Sequence, residues 1–527
     1  MKALRRVVGN TVISLIGQVI TWASTLLLTI AYGRFLGDFK FGELFFALSF
    51  VLLVGFPLEF GFNQQLTRDV AQKPELATHY LWNTLLLKGL LWMALYAVML
   101  VFCRQLGYSR EQWVLVAICG LTLLSTGMTN AFASLHYAAG RVVFPVVGTI
   151  LEKGLAALIG FPLLRFGAGV ESMAFILLGC SLANSIWQGI WFFRLEGLHL
   201  PLDRDLMREL LRSGLPFLAY GVLGVIYYRI DTVLLSLMTT TEVVGWYGAG
   251  YRLFDTLIFL PSLVIGAVMY PVFSKLTLTS ERELKVAIEK SLNFLLFCVL
   301  PIATGLIVIA PAIIGFLYHR AEFLHTIPVL QALAPGLVFL YINSVVSTIL
   351  ISTRQEKKIT IMAAAALVFN LGLNLLLIPR YQQIGAAAVT SLTELLLLGI
   401  GLAFIPRRLL PIGSLRTGLK ALLASLVMAL AIYPLGTFNI FLILSVALVV
   451  YLVAATLLGA IPREDMRALA HAVRNKSQRS PPPAPASRPD DRQDRLPAAR
   501  HPSSNLGGQA ASASKQTNRQ PYRQREH

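Results

Sequence analysis

The chain has 527 residues, of which 56% are hydrophobic and only 14% are charged. A soluble protein carries about a quarter charged residues because its surface faces water, so this composition excludes a soluble enzyme or binding domain. The formal net charge of +18 does not indicate a nucleic-acid partner, because the basic residues lie between apolar stretches and in the C-terminal segment. That placement is typical of a membrane protein with anionic membrane lipids beside its loops.

Long apolar stretches follow one another along most of the chain. Crossing about 30 Å of hydrocarbon takes roughly 20 apolar residues. Six stretches of this kind are predicted at 8–33, 42–65, 79–103, 112–136, 142–165 and 172–194. After a polar stretch, eight more are predicted at 213–238, 244–272, 289–318, 325–352, 359–379, 383–405, 413–434 and 437–460. The sequence therefore predicts an all-α integral membrane protein of about fourteen transmembrane helices.

The charges of the connecting loops test this count. With the N-terminus in the cytoplasm, the loops predicted on the inside hold 21 Lys and Arg residues, from Lys2 to Lys420, whereas the loops predicted on the outside hold 7, from Arg34 to Arg380. Because cytoplasmic loops are enriched in Lys and Arg, this bias favours an even number of spans with both termini in the cytoplasm.

Two short segments indicate an internal duplication. Arg34–Gly42 precedes the second predicted span, and Thr241–Gly248 precedes the eighth, each with an acid followed by glycine and aromatic residues. Transporters with a central site are commonly built from such repeats. The sequence therefore predicts an N-terminal six-helix lobe (1–196), a cytoplasmic linker (197–212), a C-terminal six-helix lobe (213–406) around a central cavity, and an additional helix pair (407–461).

The C-terminal segment, 462–527, differs in composition from the rest of the chain. It is rich in Pro, Ser, Gln and Arg and has few aliphatic residues, so we expect a disordered basic cytoplasmic tail. The four cysteines all lie in apolar stretches without the spacing of metal ligands, so we expect buried thiols and no metal site.

Ionisable side chains occur inside several predicted spans, where they are costly and normally face a cavity or a partner. The cations are Lys88, Lys153, Arg229 and Arg252. The acids that accompany them are Glu152, Asp231, Asp255 and Glu394. One interpretation is a hydrated cavity whose cations receive an anionic group such as a pyrophosphate, with the acids as ion-coupling groups. The alternative is local pairing that only stabilises the bundle, such as Arg252 with Asp255 or Arg229 with Asp231.

Several motifs of soluble chemistry are absent from the sequence. It contains no Walker lysine loop, no dinucleotide-binding glycine fingerprint and no cluster of acids and histidines for membrane lipid chemistry. A transporter without a cofactor is therefore favoured over an enzyme.

Three stretches, in the family's order and spacing, are similar to the Wzx-type polysaccharide flippase family, which belongs to the superfamily of multidrug and toxin extruders and lipid II flippases. The first comprises Gly9–Ala47 and Glu59–Arg68. The second comprises Gly214–Phe217, Arg229–Leu235, Val244–Arg252 and Tyr270–Ser274. The third comprises Asn370–Asn374, Ile378–Pro379, Ile384–Ala388 and Thr390–Ser391.

The resemblance implies a flippase of the bacterial inner membrane. Its substrate would be an undecaprenyl-pyrophosphate-linked oligosaccharide, moved to the outer leaflet for lipopolysaccharide or exopolysaccharide assembly, with the pathway's polymerase machinery as a further partner. A multidrug cation extruder and a lipid II flippase of the same fold stay open as alternatives. A membrane polymerase or ligase of the same pathway is the alternative from a different class. The resemblance carries over no invariant site residues.

Overall fold

The fold is seen in a computed structural model that describes residues 2–197, 202–265, 269–436 and 438–460. The described part is almost entirely helical and contains no β-strand. Its α-helices in chain order are α1 (Lys2–Gly55), α2 (Phe62–Gln72), α3 (Ala77–Gln105), α4 (Arg110–Ala138), α5 (Val143–Arg165), α6 (Val170–Glu196), α7 (Arg204–Met238), α8 (Thr241–Leu257), α9 (Phe259–Val264), α10 (Tyr270–Thr279), α11 (Glu281–Val308), α12 (Ala310–Tyr318), α13 (Ile327–Ser352), α14 (Glu356–Phe404), α15 (Gly413–Ile432) and α16 (Ile440–Leu457). The predicted tail, 462–527, lies outside the described residues.

Eleven stretches of the described residues are long and apolar enough to cross a membrane. Two of the longest helices contain a break in backbone geometry. Gly37 in α1 has φ 80° and ψ 174°, and Gln382 in α14 has φ 47° and ψ −126°. Both breaks coincide with short loops that the sequence predicts between consecutive spans.

The predicted span 244–272 is not one continuous helix. Helix α8 ends at Leu257 and α9 begins at Phe259, close to Pro261. Proline has no N–H to donate to the carbonyl four residues earlier, which belongs to Leu257. The Tyr341 hydroxyl donates a hydrogen bond of 2.7 Å to that carbonyl, so the break is stabilised by a partner from α13.

The polar stretch predicted as a linker is helical from Arg204 onward. Asp203 caps the start of α7, because its carboxylate accepts hydrogen bonds from the backbone N–H groups of Asp205 and Leu206, which hold its pKa below the usual range. Leu206 and Leu210, one turn apart, are buried in a small apolar cluster with residues of α2, α3, α4 and α6. An amphipathic first turn therefore joins α7 to the preceding helices.

The packing of α1 positions the site described below. Helix α1 contacts α4, α5 and α8, and α7 contacts both α1 and α14. Helices α11 and α14 each pack against α13, and α15 packs on α11 and α16. As a result, α7 and α8 lie beside the first six helices and also contact the later ones.

Candidate functional site

A cavity of about 350 Å³, lined by both apolar and polar side chains, lies between α1, α4, α5 and α6 on one side and α7 and α8 on the other. This volume is within the range of about 300–1,000 Å³ that is usual for small-molecule sites. Hydroxyl groups line it from several helices: Thr25, Thr29, Tyr32, Ser49, Thr122 and Thr126. We call it the central cavity.

Three of the four predicted cations line the central cavity, namely Lys153 from α5, Arg229 from α7 and Arg252 from α8. Glu152 lines it as well. The structure thus brings together side chains that are up to 100 positions apart in the sequence. No spacing rule within a single helix could have grouped them.

Arg229 pairs with a carboxylate on the neighbouring helix. Its Nη2 lies 3.2 Å from Oδ2 of Asp255 on α8, and its guanidinium carbon lies 5.5 Å from the centre of the Tyr251 ring. Its Nη1 is buried and has no hydrogen-bond partner among the described residues. The sequence suggested pairs within single helices, Arg229 with Asp231 and Arg252 with Asp255. The structure instead pairs Arg229 on α7 with Asp255 on α8.

Asp231 does not pair with Arg229, because positions two apart on a helix face different directions. Its carboxylate instead accepts hydrogen bonds from the Tyr247 hydroxyl and, at 2.6 Å, from the backbone N–H of Thr232. Asp231 is 2% exposed, so the structure places it in the packing between α7 and α8, outside the lining of the central cavity.

Arg252 is the cation of this cavity without a counter-ion. Within the described residues no carboxylate lies within 4.0 Å of it, and its guanidinium carbon lies 5.4 Å from the centre of the Phe45 ring. The predicted partner, Asp255, is already bound to Arg229. Arg252 therefore contributes an unneutralised positive charge to the cavity.

Lys153 is paired locally. Its Nζ lies 2.6 Å from Oε1 of Glu152, and the other carboxylate oxygen accepts a hydrogen bond of 2.8 Å from Asn184 on α6. The Lys153 side chain remains 40% exposed, in contrast to the 16% of Glu152. The ammonium group is therefore free to contact a bound molecule while Asn184 holds its carboxylate partner.

Lys88 lies away from the central cavity, unlike the other three cations. Its side chain is fully buried, and its Nζ contacts Oε2 of Glu59 at 3.3 Å, Oδ1 of Asn63 at 3.2 Å and the Gly127 carbonyl at 3.0 Å. Asn130 donates a further hydrogen bond of 2.8 Å to Glu59. With all three ammonium donors used, Lys88 on α3 is joined to α2, to α4 and to Glu59 in the segment before α2.

Glu394 lies in a second cavity, of about 320 Å³, formed by α7, α9, α13 and α14, with Ile258 at the junction between α8 and α9. It therefore stands apart from the other acids named from the sequence. Its contacts are with Tyr227 and Asn343.

Close to the Gly37 break, α1 packs tightly on α8. A Cβ on Gly42 would lie 2.1 Å from the Thr241 carbonyl oxygen, and a Cβ on Gly245 would lie 2.2 Å from the Asp38 carbonyl oxygen. Trp246 donates a hydrogen bond of 2.8 Å from Nε1 to Asp38. The two segments that resemble each other in sequence thus contact each other here.

Sequence reasoning missed the hydroxyl lining of the central cavity. Thr25 and Thr29 donate to backbone carbonyls one turn earlier, as Thr does in any membrane helix, so their sequence signal is weak. Sequence reasoning also missed Asn184, which donates a hydrogen bond to Glu152, and Tyr251, whose ring faces Arg229. Both contacts join residues on different helices.

Two family models match the chain. The model described as polysaccharide biosynthesis protein matches residues 7–277, and the model described as lipid II flippase MurJ matches residues 199–458. The two matches overlap across the start of the second half of the chain.

Among curated relatives, an uncharacterized membrane protein of Methanocaldococcus jannaschii is 28% identical over 190 residues, which span 36% of this chain but only 37% of that protein. The probable low-salt glycan biosynthesis flippase Agl15 of Haloferax volcanii is 21% identical over 373 residues, covering 69% of this chain and 75% of that protein. Among solved structures, the lipid II flippase MurJ in an inward closed conformation is similar with a TM-score of 0.70 at 18% identity, covering 85% of this chain and 98% of that one. The last comparison shows a shared fold.

Proposed function

This chain belongs to the polysaccharide biosynthesis protein family, and we propose that it is a flippase for a lipid-linked oligosaccharide. In this proposal it moves an undecaprenyl-pyrophosphate-linked oligosaccharide from the cytoplasmic to the outer leaflet for polysaccharide assembly. The similarity to a glycan biosynthesis flippase and to the lipid II flippase fold supports the transport of a lipid-linked glycan. The identities of the carrier lipid and of the glycan belong to the proposal.

The observation that carries this proposal is the charge of the central cavity. Three cations line the cavity, but Glu152 is the one carboxylate among its described lining residues. Glu152 neutralises Lys153 and Asp255 neutralises Arg229, so the charge of Arg252 stays unneutralised. Arg252 is the cavity cation whose guanidinium has no carboxylate to give up, so it would bind an entering pyrophosphate directly. A guanidinium binds two phosphate oxygens at once. An extruder of organic cations would need the opposite polarity.

The remaining cavity groups fit the rest of the headgroup. Lys153 and Arg229 already have carboxylate partners, so each can exchange its partner for phosphate and regain it on release. The threonine and serine hydroxyls of α1 and α4 match the hydrogen-bonding groups of sugars. Without such a lining, moving a charged and hydroxylated headgroup through hydrocarbon would be prohibitive.

Alternating access between two lobes would then carry the headgroup across, while the polyprenyl chain stays in lipid. The proposed lobes are residues 1–196 and 213–406, with the pair 407–461 beside them. Their support is that α7 and α8 face the first six helices across the central cavity while packing on later helices. The breaks at Gly37 and Gln382 support counting α1 and α14 as two crossings each, which raises the eleven apolar stretches to thirteen crossings. The predicted span 244–272, which is not among the eleven, would be the fourteenth.

In this proposal the protein lies in a bacterial inner membrane with both termini in the cytoplasm. The basic loops support that orientation and would lie against anionic lipids. A polymerase of the same pathway would take the product in the outer leaflet. The polymerase as a partner follows from the proposed substrate.

The test is a set of alanine variants, Arg252→Ala, Arg229→Ala and Lys153→Ala, in a strain that depends on this protein for surface polysaccharide. Losing a hydrogen bond to a charged group costs about 1.5–3 kcal/mol, so transport should fall about ten- to a hundredfold. The measurement is surface polysaccharide per unit of membrane-inserted protein.

Arg165→Ala is the matched control, because Arg165 lies on the same helix as Lys153 but is exposed at its end. It should keep normal polysaccharide. Normal polysaccharide in all three cavity variants would contradict the proposed site. Drug resistance lost in Glu152→Gln and kept in the cation variants would instead favour an extruder of organic cations.

A further inference from the structure

We propose that Asn184 and Gln188 are positioning residues for transport, because they hold the Glu152 carboxylate in place while Lys153 exchanges it for a substrate phosphate. They belong to a polar ladder, defined as Glu152, Asn184, Gln188 and His136, that runs from the central cavity into the packing of α4, α5 and α6. The proposal rests on the transport function proposed above and deepens the account of its site.

The polar ladder begins at the wall of the central cavity. Glu152 Oε2 accepts a hydrogen bond of 2.8 Å from Asn184 Nδ2 on α6. Asn184 Oδ1 accepts one of 2.9 Å from Gln188 Nε2, which lies one helical turn further along α6. His136 on α4 donates from Nε2 to the Gln188 backbone carbonyl at 3.2 Å. Successive hydrogen bonds thus connect a cavity carboxylate to two neighbouring helices.

The order of donors and acceptors fixes the direction in which the Asn184 amide points. An amide side chain accepts with its oxygen and donates with its nitrogen. Because the Gln188 nitrogen can only donate, it holds the Asn184 oxygen on its own side and leaves the Asn184 nitrogen for Glu152. Gln188 therefore ensures that Asn184 presents a donor to the carboxylate.

Both amides lie behind the cavity wall in a tight space. Asn184 is 1% exposed and Gln188 is fully buried, and neither is among the described residues that line the central cavity. Gly148 on α5 makes room for Asn184, because a Cβ at that position would lie 2.1 Å from Asn184 Oδ1. Enclosed side chains of this kind do not reach a molecule in the cavity, so their effect on a substrate passes through Glu152.

The role of the polar ladder follows from what Lys153 leaves behind when it binds a phosphate. Lys153 Nζ lies 2.6 Å from Glu152 Oε1, and no other cation among the described residues lies within 4.0 Å of that carboxylate. Once Lys153 has moved, Asn184 still donates to Glu152. A buried charge that loses its last hydrogen bond is strongly destabilised. Without Asn184, Glu152 would therefore retain Lys153 and oppose the binding of phosphate.

The test measures the affinity of the purified full-length chain for inorganic pyrophosphate by isothermal titration calorimetry. The heat counted as cavity binding is the part that Arg252→Ala removes. Asn184→Leu removes the donor but keeps a similar side-chain volume. It should weaken pyrophosphate binding about tenfold, because a hydrogen bond to a charged group is lost. An unchanged affinity would overturn the proposal.

A double-mutant cycle tests whether the effect passes through Glu152. In a Glu152→Gln background, Lys153 has no carboxylate beside it to give up. Adding Asn184→Leu to that background should therefore change the affinity by less than about twofold. A tenfold loss in both backgrounds would mean that Asn184 acts on the fold in general, and the positioning role would be wrong.

Two further variants keep the test decisive if Asn184→Leu does not fold. Gly148→Ala displaces the Asn184 amide without removing a polar atom, and Gln188→Met removes the donor that orients it. Each should weaken pyrophosphate binding severalfold in the wild-type background and leave it unchanged with Glu152→Gln. Full affinity in both variants would contradict the proposal.

Asn130→Leu is the matched control, because Asn130 also donates a hydrogen bond of 2.8 Å to a carboxylate, that of Glu59, away from the central cavity. It should keep the wild-type affinity, and a loss as large as that of Asn184→Leu would contradict the proposal.

The outcomes also separate this proposal from the proposed function. If the wild type binds pyrophosphate but Asn184 and Glu152 are not coupled, the positioning role alone fails. If the wild type binds no pyrophosphate, the cavity does not take the headgroup and both proposals fail.

Discussion

The cations inside the bundle differ in how each charge is neutralised, and that difference assigns their roles. Lys88 uses its three donors on Glu59, Asn63 and the Gly127 carbonyl, so it has nothing left for a ligand. Arg252 has an aromatic neighbour but no carboxylate among the described residues. The sequence predicts that Lys88 and Arg252 are both cations inside the membrane, and burial alone predicts the same role for both. Only the contacts separate a packing cation from one that faces a cavity.

Replacing Lys88 should therefore affect stability. Lys88→Met leaves the Glu59 carboxylate without its cation, and breaking such a buried pair costs about 3–5 kcal/mol. We expect a clear drop in the melting temperature of the purified protein. The double variant Lys88→Met/Glu59→Gln should recover part of that loss, because it removes the unpaired charge.

The matched control is Lys153→Met, the same change at a half-exposed cavity lysine. It should cost less than about 1 kcal/mol of stability, since exposed ion pairs contribute little. Equal losses of stability in the two single variants would contradict the different roles given to these lysines.

At the scale of helices, the packing of α1 on α8 depends on residues without side chains. Gly42 meets the Thr241 carbonyl, Gly245 meets the Asp38 carbonyl, and Gly248 meets the Phe45 ring. Small residues let membrane helices approach closely, where van der Waals contact and backbone interactions replace the hydrophobic effect. Because α1 and α8 both line the central cavity, this contact also fixes the distance between two of the cavity's walls.

Adding one methyl group at this contact should loosen it. Gly42→Ala places a Cβ 2.1 Å from the Thr241 carbonyl oxygen, so the helices must separate, at a cost of about 1–3 kcal/mol. We expect a lower melting temperature and altered transport. Gly179→Ala on α6 has no atom within 4 Å of the new Cβ and should be neutral or slightly stabilising. A Gly42→Ala variant as stable as Gly179→Ala would contradict this close packing.

At the scale of the whole molecule, the number of crossings depends on how the broken helices are counted. Eleven described stretches are long and apolar enough to span a membrane, and α1 and α14 each contain a break, so counting each of these two twice gives thirteen crossings. The predicted span 244–272 would be the fourteenth. Fourteen crossings place Gln382 outside and the two ends of α14 inside. A single crossing by α14 would place its ends on opposite sides.

Cysteine labelling distinguishes these topologies. In a background without Cys103, Cys119, Cys180 and Cys298, the exposed positions Gln382, Thr279 and Arg407 are replaced singly by cysteine. A membrane-impermeant maleimide should label Gln382→Cys in intact cells, and label Thr279→Cys and Arg407→Cys only after permeabilisation. Labelling of Gln382→Cys from the inside would remove the proposed pair of crossings.

The sequence by itself determined the membrane class, the helical content, the breaks near Gly37 and Gln382, and which ionisable residues fall within apolar stretches. These properties follow from local quantities, namely apolar length, turn residues and loop charge. The resemblance to polysaccharide flippases was also readable from segments of consecutive residues, and the family match confirmed it.

The tertiary structure decided which charges share a cavity and which are neutralised. Arg229 meets Asp255 on another helix, Arg252 meets no carboxylate in the described part of the chain, and Glu394 stands in a cavity of its own. A membrane helix is apolar on nearly every side, so its pattern does not specify which face meets which neighbour. The pairing of charges is set by helix packing, and that packing depends on contacts between residues far apart in the chain.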